Sequence, residues 1–171
     1  MSTPEIEHTV GAHPLSVKWV LWAHLPHNID WSIHSYIPIA TFATVEDAVS
    51  VTEMLPSSMI ENCMLFLMKQ GIDPMWEHPK NQHGGSFSYK VSNKVVSKVW
   101  RDLTYAVVGG TVSRDEGFLR GVTGITISPK KNFCIVKIWM TSCDYKDPEK
   151  VTREVKGLVA AGCLFKKHTS S

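Results

Sequence analysis

Apolar and polar positions sort this chain into two periodicities. Residues 17–25, 35–42, 63–69, 85–91, 122–127 and 132–141 are rich in β-branched or aromatic side chains and bounded by Gly, Pro or Asn, which reads as strands. Three further segments carry helical spacing. Thr44 and Asp47 make an acidic capping box, after which Val45, Ala48, Val49 and Leu55 recur at helical intervals until Pro56 ends the run. Val96, Val99, Trp100, Leu103 and Val107 fall on one stripe, and Gly109 and Gly110 supply the left-handed stop of a C-cap. In the third segment Asp147 caps with Pro148 at the first helical position, and Val151, Val155, Leu158 and Val159 define a buried face until Gly162.

These elements alternate without repeats or low-complexity runs, so the fold class is α+β in a single domain over residues 13–171, preceded by a loose tail over residues 1–12. Each helix offers one apolar stripe. The economical arrangement lays all three on one face of a curved antiparallel sheet and leaves the other face open, which makes the open face the place for a ligand.

Composition narrows the function classes. With 171 residues the chain is long enough for one core without disulfides or metals. No apolar run approaches the roughly 20 residues of a membrane helix, and the N-terminus lacks the pattern of a secretory signal. The four cysteines, Cys63, Cys134, Cys143 and Cys163, contain no C-x-x-C pair, as in a reducing compartment. A formal charge of +2 is too small to hold long nucleic acid through many phosphates, so any nucleic-acid ligand is expected to be short. The eight histidines lack finger spacing, which argues against a zinc site; no metal or cofactor is expected.

Six tryptophans are the informative excess, because an indole stacks well on bases and cations. One lies in the run Gly71-Ile72-Asp73-Pro74-Met75-Trp76-Glu77-His78-Pro79, where prolines hold an inter-strand loop out of regular structure. Guanine presents two adjacent donors, N1–H and its exocyclic amine, and the Glu77 carboxylate offers two acceptors at matching separation. Methylation at N7 makes that ring cationic, which strengthens both its stacking on indole and its attraction to the acid. The same loop also suits a tryptophan that plugs the edge of a core beside a solvated acid.

Trp19-Val20-Leu21-Trp22, Trp31, the run from Phe42 to Asp47, the G-I-x-P-M-W-E string ending at Glu77, Asn81 with Gly84-Gly85, Trp100 and Ile138-Trp139 occur in the order and approximate spacing of one family. From His13 to about Gly162 the chain resembles the cap-binding translation initiation factors of the 4E family. The resemblance implies a cupped antiparallel sheet backed by three helices, with Trp31 and Trp76 sandwiching 7-methylguanine and Glu77 accepting its N1–H and N2–H. It implies that Trp139 lies near the N7-methyl, and that Lys130, with Lys131 beside it, engages the cap phosphates. Strand alternation puts Ile135, Lys137 and Trp139 on one face, so Lys137 is a further phosphate candidate. A Pro-Lys-Lys turn is also an ordinary solvated hairpin tip.

The resemblance further implies a convex surface that takes a scaffold initiation factor of the 4G type or a 4E-binding repressor. The matching positions are His13, Pro14, Leu15, Val45, Val49 and the helix around Trp100, with Arg101, Asp102 and Tyr105. Departures are plain: Val49 replaces a tryptophan, Arg101 and Tyr105 replace leucines, Ile135 and Ser86 replace basic residues, and the chain reads as a C-terminally short member with only Phe165 to His168 where relatives continue into another strand. The implied protein is a cytoplasmic monomer apart from its partners, acting without catalysis. No G-x-S-x-G elbow, P-loop, H-E-x-x-H or dinucleotide fingerprint supports an enzyme. A cap-sequestering repressor, or a peptide-binding scaffold with a vestigial pocket, shares the same residues.

Overall fold

The computed structural model describes residues 12–168, so the tail expected over residues 1–12 lies, but for Ala12, outside the described residues. Seven antiparallel strands make one curved sheet: β1 (Pro14–His24), β2 (Tyr36–Thr44), β3 (Met64–Lys69), β4 (Gly85–Ser92), β5 (Val122–Pro129), β6 (Phe133–Met140) and β7 (Leu164–Lys167). Their spatial order is β2-β1-β3-β5-β6-β4-β7. Side chains alternate across each strand, so the register gives the sheet two unlike faces. Leu21 opposite Leu67 and Ile125 opposite Ile138 point into the main core, whereas Trp22 opposite Phe66 and Gly124 opposite Trp139 belong to the other face.

The core face is covered by α1 (Val45–Met54), α2 (Ser57–Asn62), α3 (Val96–Val108) and α4 (Glu116–Gly121). The capping box of α1 forms as its sequence demands: Asp47 N–H donates to Thr44 Oγ1 at 3.1 Å, and Thr44 N–H donates to Asp47 Oδ2 at 3.0 Å. On α3 the whole stripe of Val96, Val99, Trp100, Leu103 and Val107 is buried, and Gly110 takes the left-handed conformation just past the helix end. The short α4 starts from Asp115, whose carboxylate accepts the Phe118 N–H at 3.1 Å while Phe118 fills the core.

The expected third helix, 147–162, does not form. Asp147 accepts the Glu149 N–H and Pro148 opens a turn, but the turn is a single 3-10 turn, Pro148–Lys150, and another, Ala160–Gly162, closes the segment. Between them the Thr152 N–H leaves the local chain for the Val112 carbonyl at 2.7 Å. Gly157 adopts φ +102°, where a Cβ would sit 2.6 Å from Val99 Cγ2. Neither is compatible with helix, and Val151, Thr152 and Val155 are weak helix formers. The apolar pattern still reported burial, since Val151, Val155 and Leu158 are buried while Val159 is exposed.

The chain end, expected to fall short of another strand, supplies β7. It pairs with β4, placing Phe165 opposite Phe87 with ring centroids 5.0 Å apart. Close backbone approach on both sides explains the double glycine: a Cβ on Gly84 would lie 1.7 Å from the Met140 carbonyl oxygen of β6, and one on Gly85 2.5 Å from the Lys166 carbonyl oxygen of β7.

Trp100, 1% exposed, sits at the centre of the α3 stripe. Trp100→Ala is expected to lower unfolding free energy by about 3–5 kcal/mol, read from urea denaturation; a loss under about 1 kcal/mol contradicts its role as a core anchor.

Candidate functional site

The open face carries its own apolar floor, with Phe66, Met68 and Trp139 buried and Trp22, Tyr36, Met64 and Ile72 packed around them. Trp139 Nε1 donates to Thr126 Oγ1 at 3.2 Å, and its ring meets Phe66 edge-on at 6.4 Å. Two loops rise over this floor, and each carries a tryptophan.

The first loop, between β1 and β2, is built from polar short-range bonds. Asp30 N–H donates to Asn28 Oδ1 at 2.9 Å, Ser32 N–H to Asp30 Oδ1 at 2.8 Å, and Ser35 Oγ–H to the Ser32 carbonyl at 2.7 Å. The bonds from Ser32 hold the Asp30 carboxyl below the usual range. Trp31 sits within this frame and is 50% exposed.

The second loop, between β3 and β4, closes around Asn81, which is fully buried. Its Nδ2 donates to the Met75 carbonyl at 2.9 Å and, more weakly, to the Asp73 carbonyl at 3.4 Å. That clip, with buried Pro74, presents Trp76 at 45% exposure and Glu77 beside it. Trp31, Tyr36, Phe66, Trp76, Glu77 and Trp139 all line one cleft of about 270 Å³. Burial raises the Tyr36 phenol pKa, and the Glu77 charge pushes it further up.

Positive charge gathers along the outer strands. Lys137 is half-buried; burial lowers its ammonium pKa, and the Lys130 and Lys166 charges lower it further. Lys130 is exposed in the β5–β6 turn, its N–H donating to the Phe133 carbonyl at 2.8 Å, and Lys131 is exposed next to it. Among the described residues none of these lysines has a carboxylate partner within ion-pair distance. Ile135, Lys137 and Trp139 alternate with buried Cys134, Val136 and Ile138, as strand period requires.

Sequence reasoning missed three contributors. Lys166 follows from β7, because Ser86 stands between Trp139 on one side and Lys166 on the other. His168 packs on Trp139 at 4.9 Å, bonds through Nδ1 to the Asn81 carbonyl at 2.7 Å, and meets Ser86 Oγ through Nε2. His24 stacks on Trp31. The alternation of apolar, partly buried Phe165 between outward residues was the one available signal for the first two.

On the helix-covered side, His13, Pro14, Val45 and Val49 are exposed, and Leu15 is partly buried. Arg101, Asp102 and Tyr105 are half-exposed on α3. The Tyr105 hydroxyl donates to Glu53 at 2.6 Å and the Arg101 guanidinium lies 3.8 Å from the same carboxylate; Lys98 pairs with Asp102 at 2.7 Å. Burial and then Glu53 push the Tyr105 pKa up to about 12. Trp100 departs from the expected surface set, because its indole is consumed by the core. Among the described residues no three His, Cys, Asp or Glu side chains group as a metal site, and no helix is long and apolar enough to cross a membrane.

The family model for eukaryotic initiation factor 4E matches residues 14–171. The chain belongs to that family. Among similar proteins, eukaryotic translation initiation factor 4E-2 of Schizosaccharomyces pombe is 29% identical over 147 residues, covering 81% of this chain and 58% of its own length. Initiation factor NCBP of Triticum aestivum is 33% identical over 138 residues, covering 78% and 58%. The chain therefore spans a little over half the length of these two relatives.

Solved relatives share the fold. The Ascaris suum eIF4E-3 complex with m7G cap superposes with a TM-score of 0.78 at 22% identity, covering 94% of this chain and 93% of that one. The schistosome eIF4E complexed with m7GpppG and 4E-BP gives a TM-score of 0.70 at 27% identity, covering 79% and 75%.

His168 yields a pH test. Burial lowers its pKa, and Lys137 lowers it further against the opposing Asn81 bond. A depressed folded value means the unfolded chain takes the proton first, so this contribution to stability is present above about pH 6.5 and is lost as pH falls through the folded value. Between pH 7.5 and 5.5 the melting temperature of the parent is expected to fall more steeply than that of His168→Gln; parallel slopes contradict the assignment.

Proposed function

We propose that this protein binds the 7-methylguanosine cap of mRNA and serves translation initiation, without chemistry on its ligand. The observation that carries the reading is the pair of half-exposed indoles, Trp31 and Trp76, lining one cleft with the Glu77 carboxylate. In soluble proteins a large aromatic surface left in water at a concave site is a binding surface. A cationic methylated purine stacks on both indoles, Glu77 accepts its N1–H and exocyclic amine, and Trp139 lies at the floor beside the methyl group. Lys137, Lys130 and Lys166, with Lys131 further out, take the phosphates as mobile point charges.

Stacking contributes about 1–3 kcal/mol per aromatic partner and a charge-assisted hydrogen bond about 1.5–3 kcal/mol, enough together for micromolar affinity. The convex face, with Val45, Val49, Leu15 and the Glu53-linked pair Arg101 and Tyr105, takes the scaffold or repressor peptide. Its polar pair favours a partner segment that brings hydrogen-bonding groups beside its apolar anchor. The cell compartment of such a factor is the cytoplasm.

Titration of intrinsic tryptophan fluorescence with 7-methyl-GTP is expected to show strong quenching, and GTP much weaker quenching. Glu77→Gln should weaken 7-methyl-GTP binding by about ten- to a hundredfold with an unchanged melting temperature. Equal quenching by both nucleotides, or an unaltered affinity in Glu77→Gln, refutes the reading.

A further inference from the structure

We propose that His24 is a positioning residue for Trp31: it occupies one face of the indole and so dedicates the opposite face to the ligand base. The inference rests on the cap-binding reading of the cleft and adds a residue to it.

The two rings lie parallel, with centroids 3.8 Å apart and an interplanar angle of 4°. That separation is van der Waals contact, so no base enters between them. An indole has two faces; with the imidazole on one, only the opposite face is left flat and open to a ligand, and Trp31 stays 50% exposed while lining the cleft of Trp76 and Glu77.

His24 is suited to hold its neighbour. It ends β1, opposite Tyr36 on one side and Met64 on the other, and is 2% exposed. Its Nε2 lies 2.7 Å from the Asp30 carbonyl oxygen. A carbonyl only accepts, so Nε2 carries the hydrogen and the ring plane is tied to the residue preceding Trp31. Tyr36 meets both rings edge-on, at 5.3 Å from His24 and 6.4 Å from Trp31. The imidazole thus transfers the rigidity of the sheet to an indole that hangs from a loop. Fixing that side chain before binding spares its ordering during binding, which improves affinity without any contact between His24 and the ligand.

The test is a double-mutant cycle on 7-methyl-GTP affinity, read by calorimetry, with circular dichroism to follow the fold. His24→Ala is expected to weaken binding about three- to tenfold, and His24→Phe, which keeps a flat ring under Trp31, to stay within about twofold of the parent. In a Trp31→Ala background, His24→Ala should change affinity by less than about twofold, a result that general loosening of the fold does not produce. Unchanged affinity in His24→Ala, or an equal loss with and without Trp31, overturns the proposal. If His24→Ala does not fold, His24→Phe decides alone: affinity within about twofold of the parent supports the stack, and any larger loss overturns it. Absence of methyl-selective binding in the parent removes the cap reading and this one together, whereas selective binding with an inert His24 removes only this one.

Discussion

Leaving two tryptophans half in water at one cleft is the constraint around which the open face is organised. An indole buries 150–250 Å² when packed, so keeping half of it exposed forgoes about 2–3 kcal/mol of burial for each ring. Trp19 and Trp100 show the ordinary fate of tryptophan in this chain, with 3% and 1% exposure. Trp31 and Trp76 depart from it together, on separate loops, over a floor of Phe66 and Trp139. In the cap-binding reading proposed above, a flat cationic ligand would restore the missing burial on both rings at once and add the attraction of a cation to π faces.

The loops carrying these rings are irregular but not loose. The frame around Trp31 consists of bonds from Asn28, Asp30, Ser32 and Ser35, and the frame around Trp76 is the Asn81 clip on Met75 and Asp73. Both are referred back to strands. His24 connects the first to the end of β1, and His168 connects the second to the end of β7 through the Asn81 carbonyl. The irregular 147–162 segment serves the opposite face, where its three buried side chains close the core beside α3 and leave the open face untouched.

Much of this was legible in the amino-acid sequence, and the reasons differ by element. Strand-period runs announced β1 to β6 because each is bounded by residues that break pairing, and the capping box and the α3 stripe each name a helix by mechanism. The 147–162 segment misled because Val151, Val155 and Leu158 carry helical spacing that an irregular chain can satisfy equally; the contact of Gly157 with Val99 is a tertiary fact. β7 was hidden because Phe165 alone faces the core. The Trp76-Glu77 string was readable as chemistry, whereas His24 and His168 are single histidines whose partners lie far away or depend on a loop's path.

The central claim is that a methylated guanine lies flat between Trp31 and Trp76. Its most direct measurement is the proton resonance of the N7-methyl group of 7-methyl-GTP on titration with the protein. Ring currents from two indoles should move that resonance strongly upfield, and Trp31→Ala and Trp76→Ala should each remove a large part of the shift. A methyl resonance that stays in place in the presence of folded parent protein, or that moves equally in both variants and the parent, contradicts the account.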